Sequence, residues 1–365
     1  MTTRSAGGAE FAAIEMLDAL ADRGHEVVML SDLPGIGRDT RVPVVPLEIG
    51  PKLSTTTWRS LLVSWPAYVR RLRRALERQQ PYDVLLVHYK KEQLMTAWLP
   101  RRLRAQLVWA EWGPVPYPLR RGLPRQAYLR AARRAELVMA VSPGTKSSVQ
   151  DVGIPARKVV VVPNVVDVDA IRFTADGRAA VRERLGIPAD AFVVGCISRF
   201  HPKKRNDVVV DGVLGLADER VHLILAGAGE CEPELRAQAR PLGDRAHFVP
   251  TPASDVADVL SAFDVSVFCP SPTEGAPRAT ILGMLAERPC LATGGEGVAD
   301  LIRPEFGAIT EPENDPAALT ALLRRYIADP ALGPGQGQAA RAWAAREYAR
   351  PVVAEQIERL LSTRR

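Results

Sequence analysis

In the stretch SPTEGAPRATILGMLAERP, residues 271–289, the carboxylate of Glu274 stands just before a glycine and shortly before a proline, and a helical run follows. A carboxylate accepts hydrogen bonds from hydroxyl groups, and the free N–H groups at the start of a helix favour an anion such as phosphate. Glu274 therefore either caps the helix or binds the hydroxyl groups of a ligand whose phosphate lies at the helix start. The backbone N–H groups expected there belong to Gly275, Ala276, Arg278, Ala279 and Thr280.

A second set of charged side chains lies in ISRFHPKKRND, residues 197–207, at the end of a predicted strand. Arg199 and Lys204 come together there, with His201 and Lys203 beside them. Open α/β sheets bind ligands outside the carboxyl ends of their strands, and cations at that edge suit a diphosphate. A solvated loop with ordinary surface charges is the alternative, but the position at the strand end favours phosphate binding.

Two glycine pairs mark further turns where the backbone could approach a ligand. Gly7 and Gly8 stand at the start of a predicted helix, 9–23, and Gly227 and Gly229 follow a predicted strand in LAGAGECEPEL. Each pair could hold a phosphate or sugar oxygen, or could only permit a tight bend. Taken alone, these glycines do not decide between the two interpretations.

The elements that would position these residues follow one pattern in both halves of the chain. Short apolar runs rich in β-branched residues alternate with amphipathic helical stretches, which predicts parallel sheets covered by helices in a doubly wound α/β fold. The predicted strands are 25–30, 83–88, 105–111, 136–142 and 158–164 in the first half, and 192–200, 221–229, 246–250, 264–271 and 288–295 in the second.

The 365 residues are enough for two such domains, so we expect two Rossmann-like domains that face a cleft. The first spans 1–165 and the second 166–345, with a last helix in 346–365 that crosses back to the first domain. The stretch 165–190 has no strong strand and is expected to be the linker.

One strand is missing at the front of the sequence. A Rossmann domain has its first strand in the middle of the sheet, directly before the glycine turn, and losing it would expose the edges of both neighbours. Here the turn begins after only MTTRSA. We therefore expect the natural chain to start about ten residues further upstream.

Charge is uneven along the chain: residues 1–165 carry a net +11 and the remainder −5, within a total of +6. A basic half favours an anionic partner. Because no nucleic-acid motif is present and aromatic residues are not interleaved with the basic runs, we expect a phospholipid surface or an acidic acceptor and no nucleic acid.

The segment WRSLLVSWPAYVRRLRRALER, residues 58–78, predicts a helix with one apolar and one basic face, kinked or started by Pro66. Such a helix either packs on the first domain or binds anionic lipid. Its predicted apolar face comprises Trp58, Leu61, Leu62, Trp65, Tyr68, Val69, Leu72 and Leu76.

No apolar run reaches the ~20 residues of a membrane-spanning helix, and the first residues lack the apolar core of a signal peptide. We therefore expect a cytoplasmic protein that can contact the inner face of the plasma membrane. Its cysteines are widely spaced and are expected to be small buried residues, not metal ligands or disulfides. They are Cys196, Cys231, Cys269 and Cys290.

The order of these motifs resembles the large family four of retaining glycosyltransferases with the GT-B fold. The segments are GGAE, SPGTK, PNVVD, SRFHPKKR, AGAGE, PSPTEGAPRATILGM and an Asp-Pro before the final helices. The resemblance covers essentially the whole chain. It implies a metal-independent enzyme whose second domain binds a nucleotide-sugar and whose first domain binds a hydroxyl acceptor. No cofactor is implied, since the UDP-, GDP- or dTDP-sugar is a co-substrate.

The resemblance also implies roles for individual residues. Arg199 and Lys204 match the pair that binds the donor diphosphate, and Gly7 and Gly8 match the loop that closes over the phosphates. Glu274 matches the first glutamate of the family's Glu-x7-Glu motif, which binds hydroxyls of the donor sugar. We therefore expect Glu274 to bind a sugar and not to cap a helix.

Three positions depart from the family pattern. The second glutamate of the Glu-x7-Glu motif is replaced by Leu282, Trp112 stands near the place of the acceptor-side histidine, and EGVAD has Asp300 where the family has glutamate. With Glu274 at a helix start, position 282 is expected on the same side of the helix, two turns on. On the acceptor side, His88 and Glu111 remain as candidates, and each could have a structural role instead.

Two other functions stay compatible with these residues. One is a sugar-nucleotide epimerase of the same fold, and the other is a catalytically weak carbohydrate-binding homologue, which Leu282 and Trp112 favour. Frequent Ala and Arg are typical of a bacterium with a GC-rich genome. Cell-surface glycan, glycolipid and natural-product pathways are all plausible settings for a transferase there.

Overall fold

The computed structural model describes residues 7–33, 40–54, 56–103, 105–250, 255–271, 274–294 and 296–363. The chain divides into two compact units: unit 1 comprises 1–166 with 350–365, and unit 2 comprises 167–349. Both units contain parallel strands connected by helices, as the alternation of apolar runs predicts. Within the described ranges, no helix is both long and apolar enough to cross a membrane.

Unit 1 contains six described strands in two groups. They are β1 (Met29–Ser31), β2 (Val44–Pro46), β3 (Val84–Val87), β4 (Gln106–Glu111), β5 (Leu137–Ala140) and β6 (Val159–Val161). β1 pairs with β2, and β3 to β6 pair in chain order, all in parallel. The connecting helices are α1 (Gly8–Ala21), α2 (Trp58–Arg78), α3 (Lys90–Met95), α4 (Gly122–Ala132) and α5 (Pro143–Asp151).

Unit 2 is built on a six-stranded parallel sheet. Its strands are β7 (Phe192–Ile197), β8 (Val221–Ala226), β9 (Ala246–Val249), β10 (Val265–Phe268), β11 (Cys290–Thr293) and β12 (Gly307–Thr310). Its helices are α6 (Ala175–Leu185), α7 (Asn206–Leu214), α8 (Glu232–Gln238), α9 (Val256–Ser261), α10 (Arg278–Leu285), α11 (Glu296–Ala299), α12 (Pro316–Ala328) and α13 (Leu332–Tyr348). The strand order β12-β11-β10-β7-β8-β9 places the first strand in the middle, which is the doubly wound arrangement.

Helix α6 lies within the stretch predicted to be a linker. Arg178 Nη2 and Arg182 Nη2 each donate to one carboxylate oxygen of Asp264, at 2.7 and 2.8 Å. The N–H of Val193, in the central strand, donates to Asp264 Oδ2 at 2.6 Å. The linker prediction is therefore wrong for 175–185, because these ion pairs attach α6 to the sheet of unit 2.

The last helix, α14 (Arg350–Ser362), belongs to unit 1. It buries Val353, Ala354 and Ile357 in the same core as part of α1. Arg350 Nη2 lies 2.8 Å from a carboxylate oxygen of Glu15 in α1. The helix therefore completes the layer that covers one face of the strands of unit 1.

His222 in β8 and His247 in β9 stack with ring centroids 5.4 Å apart. Burial lowers the pKa of His222, and it lowers that of His247 to about 4. Because the unfolded side chains titrate near ~6.5, the neutral pair stabilises unit 2 above that pH, and this contribution is lost as the pH falls towards ~4. Urea denaturation should show a smaller acid-induced loss of stability in the His222→Gln/His247→Gln variant than in wild type. Equal losses would contradict the prediction.

Candidate functional site

The loop between β7 and α7 carries the cationic residues predicted to bind phosphate. Ser198 and Asn206 close this loop: Ser198 Oγ donates to Asn206 Oδ1 at 2.7 Å, and Asn206 Nδ2 donates to the Arg199 carbonyl oxygen at 3.4 Å. The side chain of Arg199 is exposed, whereas that of Lys204 is 20 % exposed. The loop is thus fixed at both ends, and Arg199 points its charge to solvent.

Lys204 and Glu274, predicted separately as phosphate and hydroxyl ligands, form an ion pair. Lys204 Nζ lies 2.7 Å from Glu274 Oε1, and the carboxylate is 22 % exposed. The ammonium group also lies 5.2 Å from the ring centroid of Phe268, at the end of β10, which adds a cation–π attraction. The pair therefore stands beyond the carboxyl ends of β7 and β10, the edge at which open α/β sheets bind ligands.

The glycine turn after β8 packs directly against the loop after β7. A Cβ atom on Gly227 would lie 2.0 Å from the Ser198 carbonyl oxygen, and one on Gly229 would lie 2.2 Å from that of Phe200. The Cys231 N–H donates to the same Phe200 oxygen at 3.0 Å. Both glycines are therefore needed for close backbone approach, and they support the loop that carries Arg199.

Helix α10 begins later than the sequence suggested. Its first residue is Arg278, Pro277 precedes it, and Glu274 lies in the loop before that. The expectation that helical spacing places Glu274 and Leu282 on one side is therefore wrong, because only Leu282 is in the helix. Leu282 is 9 % exposed, so its side chain lies mostly within the packed interior of unit 2.

The backbone N–H groups predicted to bind phosphate lie around the start of α10. Their residues differ in burial and in the hydrogen bonds that they already make. Gly275 is buried, Ala276 is half-buried, and Arg278 and Ala279 open the helix. The N–H of Thr280 already donates to the Pro277 carbonyl oxygen at 3.1 Å, so this predicted donor is occupied in the structure. By contrast, the Thr280 hydroxyl oxygen is buried and has no hydrogen-bond partner among the described residues.

Helix α11, at the start of EGVAD, lies against the loop that carries Glu274. A Cβ atom on Gly297 would lie 2.3 Å from the Glu274 carbonyl oxygen and 2.5 Å from that of Gly275. Only glycine permits this approach. The structure thus brings together the two segments in which the chain departs from the family pattern, one with Leu282 and one with Asp300.

In unit 1, Gly7 and Gly8 form the start of α1 as predicted, and Glu10 holds them there. The Gly7 N–H donates to Glu10 Oε2 at 2.9 Å, and the hydroxyl group of Tyr89 donates to Glu10 Oε1. Glu10 is buried, at 6 % exposed. Sequence reasoning missed Glu10 and Tyr89, although an acidic residue three positions into a helix is the spacing of a capping box.

His88 and Trp112 lie together at the carboxyl ends of β3 and β4. Their rings stack with centroids 5.8 Å apart, and Trp112 Nε1 donates to His88 Nδ1 at 3.3 Å. Burial lowers the pKa of His88 to about 3, so the imidazole is neutral near pH 7. Because Nδ1 accepts a hydrogen bond, the proton is on Nε2, which makes His88 a neutral donor and not a general base.

Glu111, the last residue of β4, is only 3 % exposed and has two partners. The ammonium group of Lys90 forms an ion pair with Glu111 Oε2, and the Tyr128 hydroxyl donates to Glu111 Oε1 at 2.7 Å. Burial lowers the pKa of Lys90, which Glu111 opposes, and burial raises that of Tyr128. The structure therefore assigns Glu111 to a buried charged network. Sequence reasoning missed Lys90 and Tyr128.

The cysteines have free thiols. Burial raises the pKa of Cys196 and of Cys290 to about 12 and that of Cys269 to about 11, so these thiols stay protonated and unreactive. Cys231 is half-buried. Within the parts of the chain that the structure describes, no cluster of three or more His, Cys, Asp or Glu side chains could hold a metal ion.

Two family models match the chain, one in each unit. Glycosyltransferase Family 4 matches residues 6–170, and Glycosyl transferases group 1 matches residues 191–329. Among solved structures, that of an Anabaena protein in complex with UDP and glucose has a TM-score of 0.82 at 22% identity. It covers 99% of this chain and 98% of that chain. The predicted GT-B fold, with two Rossmann-like domains, is thereby confirmed.

Two curated relatives are similar to this chain over different lengths. The D-inositol 3-phosphate glycosyltransferase of Streptomyces avermitilis is 33% identical over 242 residues, which are 62% of this chain and 51% of that protein. The 2-deoxystreptamine glucosyltransferase of Streptomyces kanamyceticus is 25% identical over 367 residues, covering 92% of this chain and 93% of the relative. The match thus spans about half the length of the first relative and nearly all of the second.

Proposed function

Because the chain belongs to family 4 of the glycosyltransferases, we propose that it moves a sugar from a nucleotide-sugar donor to a hydroxyl acceptor with retention of anomeric configuration. In this proposal, unit 2 binds the donor and unit 1 binds the acceptor. The observation that carries it is the Lys204–Glu274 pair beyond the carboxyl ends of β7 and β10. A cation and a carboxylate side by side match the diphosphate and the sugar hydroxyls of one ligand.

Cleavage of the anomeric bond leaves negative charge on the departing diphosphate. Lys204 and Arg199 supply positive charge to it, while Glu274 accepts hydrogen bonds from hydroxyls of the sugar. A fixed cation or hydrogen-bond donor that interacts with charge as it develops in the transition state lowers the activation free energy by about 3–4 kcal/mol. The leaving phosphate oxygen takes the proton of the acceptor hydroxyl, so the leaving group itself activates the nucleophile.

On the acceptor side, the proposal uses His88 and Trp112. The Nε2–H of the neutral His88 donates to an acceptor oxygen, and Trp112 fixes the ring by its hydrogen bond to Nδ1. Glu111 contributes indirectly, since Lys90 and Tyr128 occupy its carboxylate oxygens. The names of the two relatives supply acceptors to test, an inositol phosphate and 2-deoxystreptamine.

Release of nucleotide from UDP-, GDP- and dTDP-sugars, measured with and without each acceptor, tests the proposal. We expect release only when a donor and an acceptor are both present, and a product that keeps the anomeric configuration of the donor by NMR. Interconversion of donor epimers without acceptor would instead identify an epimerase. Saturable donor binding without turnover would identify a carbohydrate-binding protein, and either result would overturn the proposal.

Leu282 stands where the family pattern has a carboxylate for the ribose hydroxyls, and a leucine side chain accepts no hydrogen bond. We therefore expect the wild type to bind ribo- and deoxyribonucleotide donors with less than about tenfold discrimination. Leu282→Glu should raise the preference for ribose, since a hydrogen bond to a charged acceptor contributes about 1.5–3 kcal/mol. Titration calorimetry with UDP- and dUDP-sugars, which differ only in the 2′-hydroxyl, measures both.

Leu282→Met is the matched apolar control, and the melting temperature of each variant reports whether the buried site tolerates the change. A strong ribose preference in the wild type that Leu282→Glu leaves unchanged would remove position 282 from the donor site. A folded Leu282→Glu variant is required for that comparison, because the wild-type side chain is 9 % exposed.

Helix α2 presents apolar and basic side chains together at the surface of unit 1. Leu61, Leu72 and Leu76 are buried, whereas Leu62 and Val63 are 62 % and 85 % exposed. The predicted single apolar face is therefore wrong at Leu62, and Pro66 lies inside the helix and does not start it. The exposed basic residues of α2 are Arg59, Arg70, Arg71, Arg73, Arg74 and Arg78.

This surface supports peripheral binding to an anionic membrane. Exposed apolar groups enter the lipid interface, and each basic residue near anionic lipid contributes about 1 kcal/mol. In sedimentation assays we expect the protein to be recovered with phosphatidylglycerol vesicles and not with phosphatidylcholine vesicles. Leu62→Ser/Val63→Ser and Arg70→Gln/Arg74→Gln should each weaken recovery. Equal recovery with both vesicle types would exclude electrostatic membrane binding.

A further inference from the structure

The starts of two helices of unit 1 lie at one end of its strands. We call this end the carboxyl edge; it is formed by the ends of β3 at Val87 and of β4 at Glu111. Helix α3 begins there, shortly after β3. Helix α4 also begins there, because it connects the end of β4 to the start of its parallel neighbour β5. The segment 112–121, which precedes α4, therefore lies at the same edge.

Helix α2 extends past the carboxyl edge. Lys91, in the first turn of α3, donates to the carbonyl oxygens of Gly50 and Pro51. The ring of Tyr68 in α2 packs on Gly50, where an added Cβ atom would lie 2.5 Å from the nearest ring atoms. Tyr68 is therefore level with the edge. Because α2 continues from Tyr68 toward the start of β3, residues 58–67 extend about 15 Å in the other direction, beyond the ends of the strands.

Two exposed flanks border the candidate acceptor residues at this edge. The first flank, at the start of α2, comprises Trp58, Arg59, Leu62 and Val63, and the second, around the start of α4, comprises Tyr117, Arg121 and Leu123. Lys91 attaches the start of α3 to the segment that leads into α2, and Lys90 Nζ lies 3.1 Å from the hydroxyl oxygen of Tyr128 in α4. The start of α3 therefore lies between the flanks, together with the contacting pair His88 and Trp112.

Both flanks combine exposed apolar side chains with arginines. Tyr117 and Leu123 are 65 % and 78 % exposed, which is comparable to the exposed apolar residues of α2. In each flank a guanidinium group lies over an exposed aromatic ring. The Arg59 group is 5.4 Å from the ring centroid of Trp58, and the Arg121 group is 5.3 Å from that of Tyr117. Aromatic rings accompanied by long cationic side chains are typical of the boundary between a membrane and water.

The sequence around both flanks carries charge of one sign. Residues 49–76 and 112–134 contain no aspartate or glutamate, and each stretch contains six lysines or arginines. An exposed apolar surface surrounded by positive charge fits an occupant that is anionic outside and apolar inside. A nucleic acid supplies the negative charge without the apolar interior, whereas a bilayer of anionic lipid supplies both.

We propose that the carboxyl edge of unit 1 binds an anionic lipid bilayer through both flanks, and that the acceptor hydroxyl belongs to a lipid headgroup of that bilayer. This inference rests on the proposed function, since it assigns the acceptor of the same site. With both flanks in the headgroup layer, the Nε2–H of His88 between them donates to a headgroup oxygen. A bond then forms between that oxygen and the anomeric carbon, the bond to the diphosphate breaks, and the hydroxyl proton passes to the leaving phosphate.

Three labelled proteins test which surface contacts the membrane. Leu62→Cys, Leu123→Cys and Trp98→Cys are made in a Cys231→Ser background, whose other native thiols are buried, and each carries an environment-sensitive nitrobenzoxadiazole dye. Trp98 is the matched control, because it is 68 % exposed but lies on the connection from α3 to the start of β4. With phosphatidylglycerol vesicles we expect the emission to rise at least about twofold at positions 62 and 123 and to stay unchanged at 98.

Phosphatidylcholine vesicles should leave all three emissions unchanged, because they lack the anionic charge that the arginines bind. An equal rise at position 98, or no rise at position 123, would overturn the assignment of this edge to the membrane. An equal rise with polyuridylic acid in place of vesicles would identify a nucleic-acid surface and would also overturn it. None of these measurements depends on glycosyltransferase activity.

Nucleotide release tests the class of acceptor. Release is compared between vesicles of phosphatidylinositol or phosphatidylglycerol and the soluble inositol phosphate and glycerol phosphate. We expect at least about tenfold faster release with one of the vesicles, because docking concentrates headgroups at the site. Tyr117→Ser/Leu123→Ser should slow that release about tenfold, whereas Trp98→Ser should not.

The proposed function and this inference fail in different ways. Turnover of a soluble acceptor without turnover on either vesicle would overturn the lipid acceptor and leave the glycosyltransferase intact. Equal release from wild type and Tyr117→Ser/Leu123→Ser on vesicles would overturn the role of the second flank. If no acceptor of either kind supports release, the proposed function fails, while the dye positions still report whether the carboxyl edge contacts the membrane.

Discussion

Lys204→Ala is expected to reduce turnover by about 10²–10³-fold while leaving the melting temperature within a few degrees of the wild type. The ammonium group is the partly buried cation of the candidate site, and its contribution grows as charge develops on the leaving diphosphate. Arg199→Ala should reduce turnover in the same way. Its side chain is exposed, so the change leaves the core of unit 2 intact. Steady-state kinetics with the donor identified by the nucleotide-release assay measures both.

Lys203→Ala is the matched control for this prediction. Lys203 adjoins Lys204, has the same charge and is exposed, and its backbone oxygen, which accepts from the Ser271 N–H at 2.9 Å, is unaffected by the substitution. It should keep near-full turnover. If Lys204→Ala and Arg199→Ala both behaved like Lys203→Ala, the diphosphate would be bound elsewhere. A loss of kcat in Lys204→Ala that Lys204→Arg partly restores would identify the charge as the active feature.

Glu111→Leu is expected to lower the free energy of unfolding by about 3–5 kcal/mol, because it leaves the ammonium group of Lys90 in a buried site without its carboxylate. The Lys90 and Glu111 side chains are 18 % and 3 % exposed. Lys90→Met should also destabilise the protein, since the carboxylate then keeps only the Tyr128 hydroxyl. Urea denaturation followed by fluorescence measures these changes.

The double variant Lys90→Met/Glu111→Leu distinguishes a buried pair from two independent contributions. Replacing both charges by apolar groups of similar size removes the desolvation cost together with the attraction, so we expect most of the lost stability to return. Additive losses in the double variant would show that the two side chains do not act on each other. Turnover of the refolded double variant then reports whether Glu111 also assists the acceptor.

Most strands of both units could be predicted because helices bury them on both faces, which leaves continuous apolar runs in the sequence. β2 and β12 were missed for the opposite reason. β2 is only three residues long and contains a proline, and β12 is four residues long and starts with a glycine. Segments this short carry too little periodicity to separate them from loops, and only pairing with a neighbour makes them strands.

The candidate site shows a different limit. Lys204 and Glu274 were each found from a local pattern, a charged loop after a strand and a carboxylate before a helix. The two residues are 70 positions apart in the chain, so no local sequence pattern predicts their contact. The same holds for Lys90 and Tyr128, which reach Glu111 from two different helices. Long-range pairs of this kind follow from strand order, which periodicity does not determine.

Because Lys204 and Glu274 form a salt bridge, a ligand of the proposed donor site must engage both side chains together. In the structure each charge is the counter-ion of the other. A diphosphate that binds only the Lys204 ammonium group leaves the Glu274 carboxylate without its counter-ion. A free sugar that binds only the carboxylate leaves the ammonium group without a new partner. In the proposed donor site, an intact nucleotide-sugar supplies a partner to each group, because its diphosphate binds the ammonium group while hydroxyls of its sugar donate to the carboxylate.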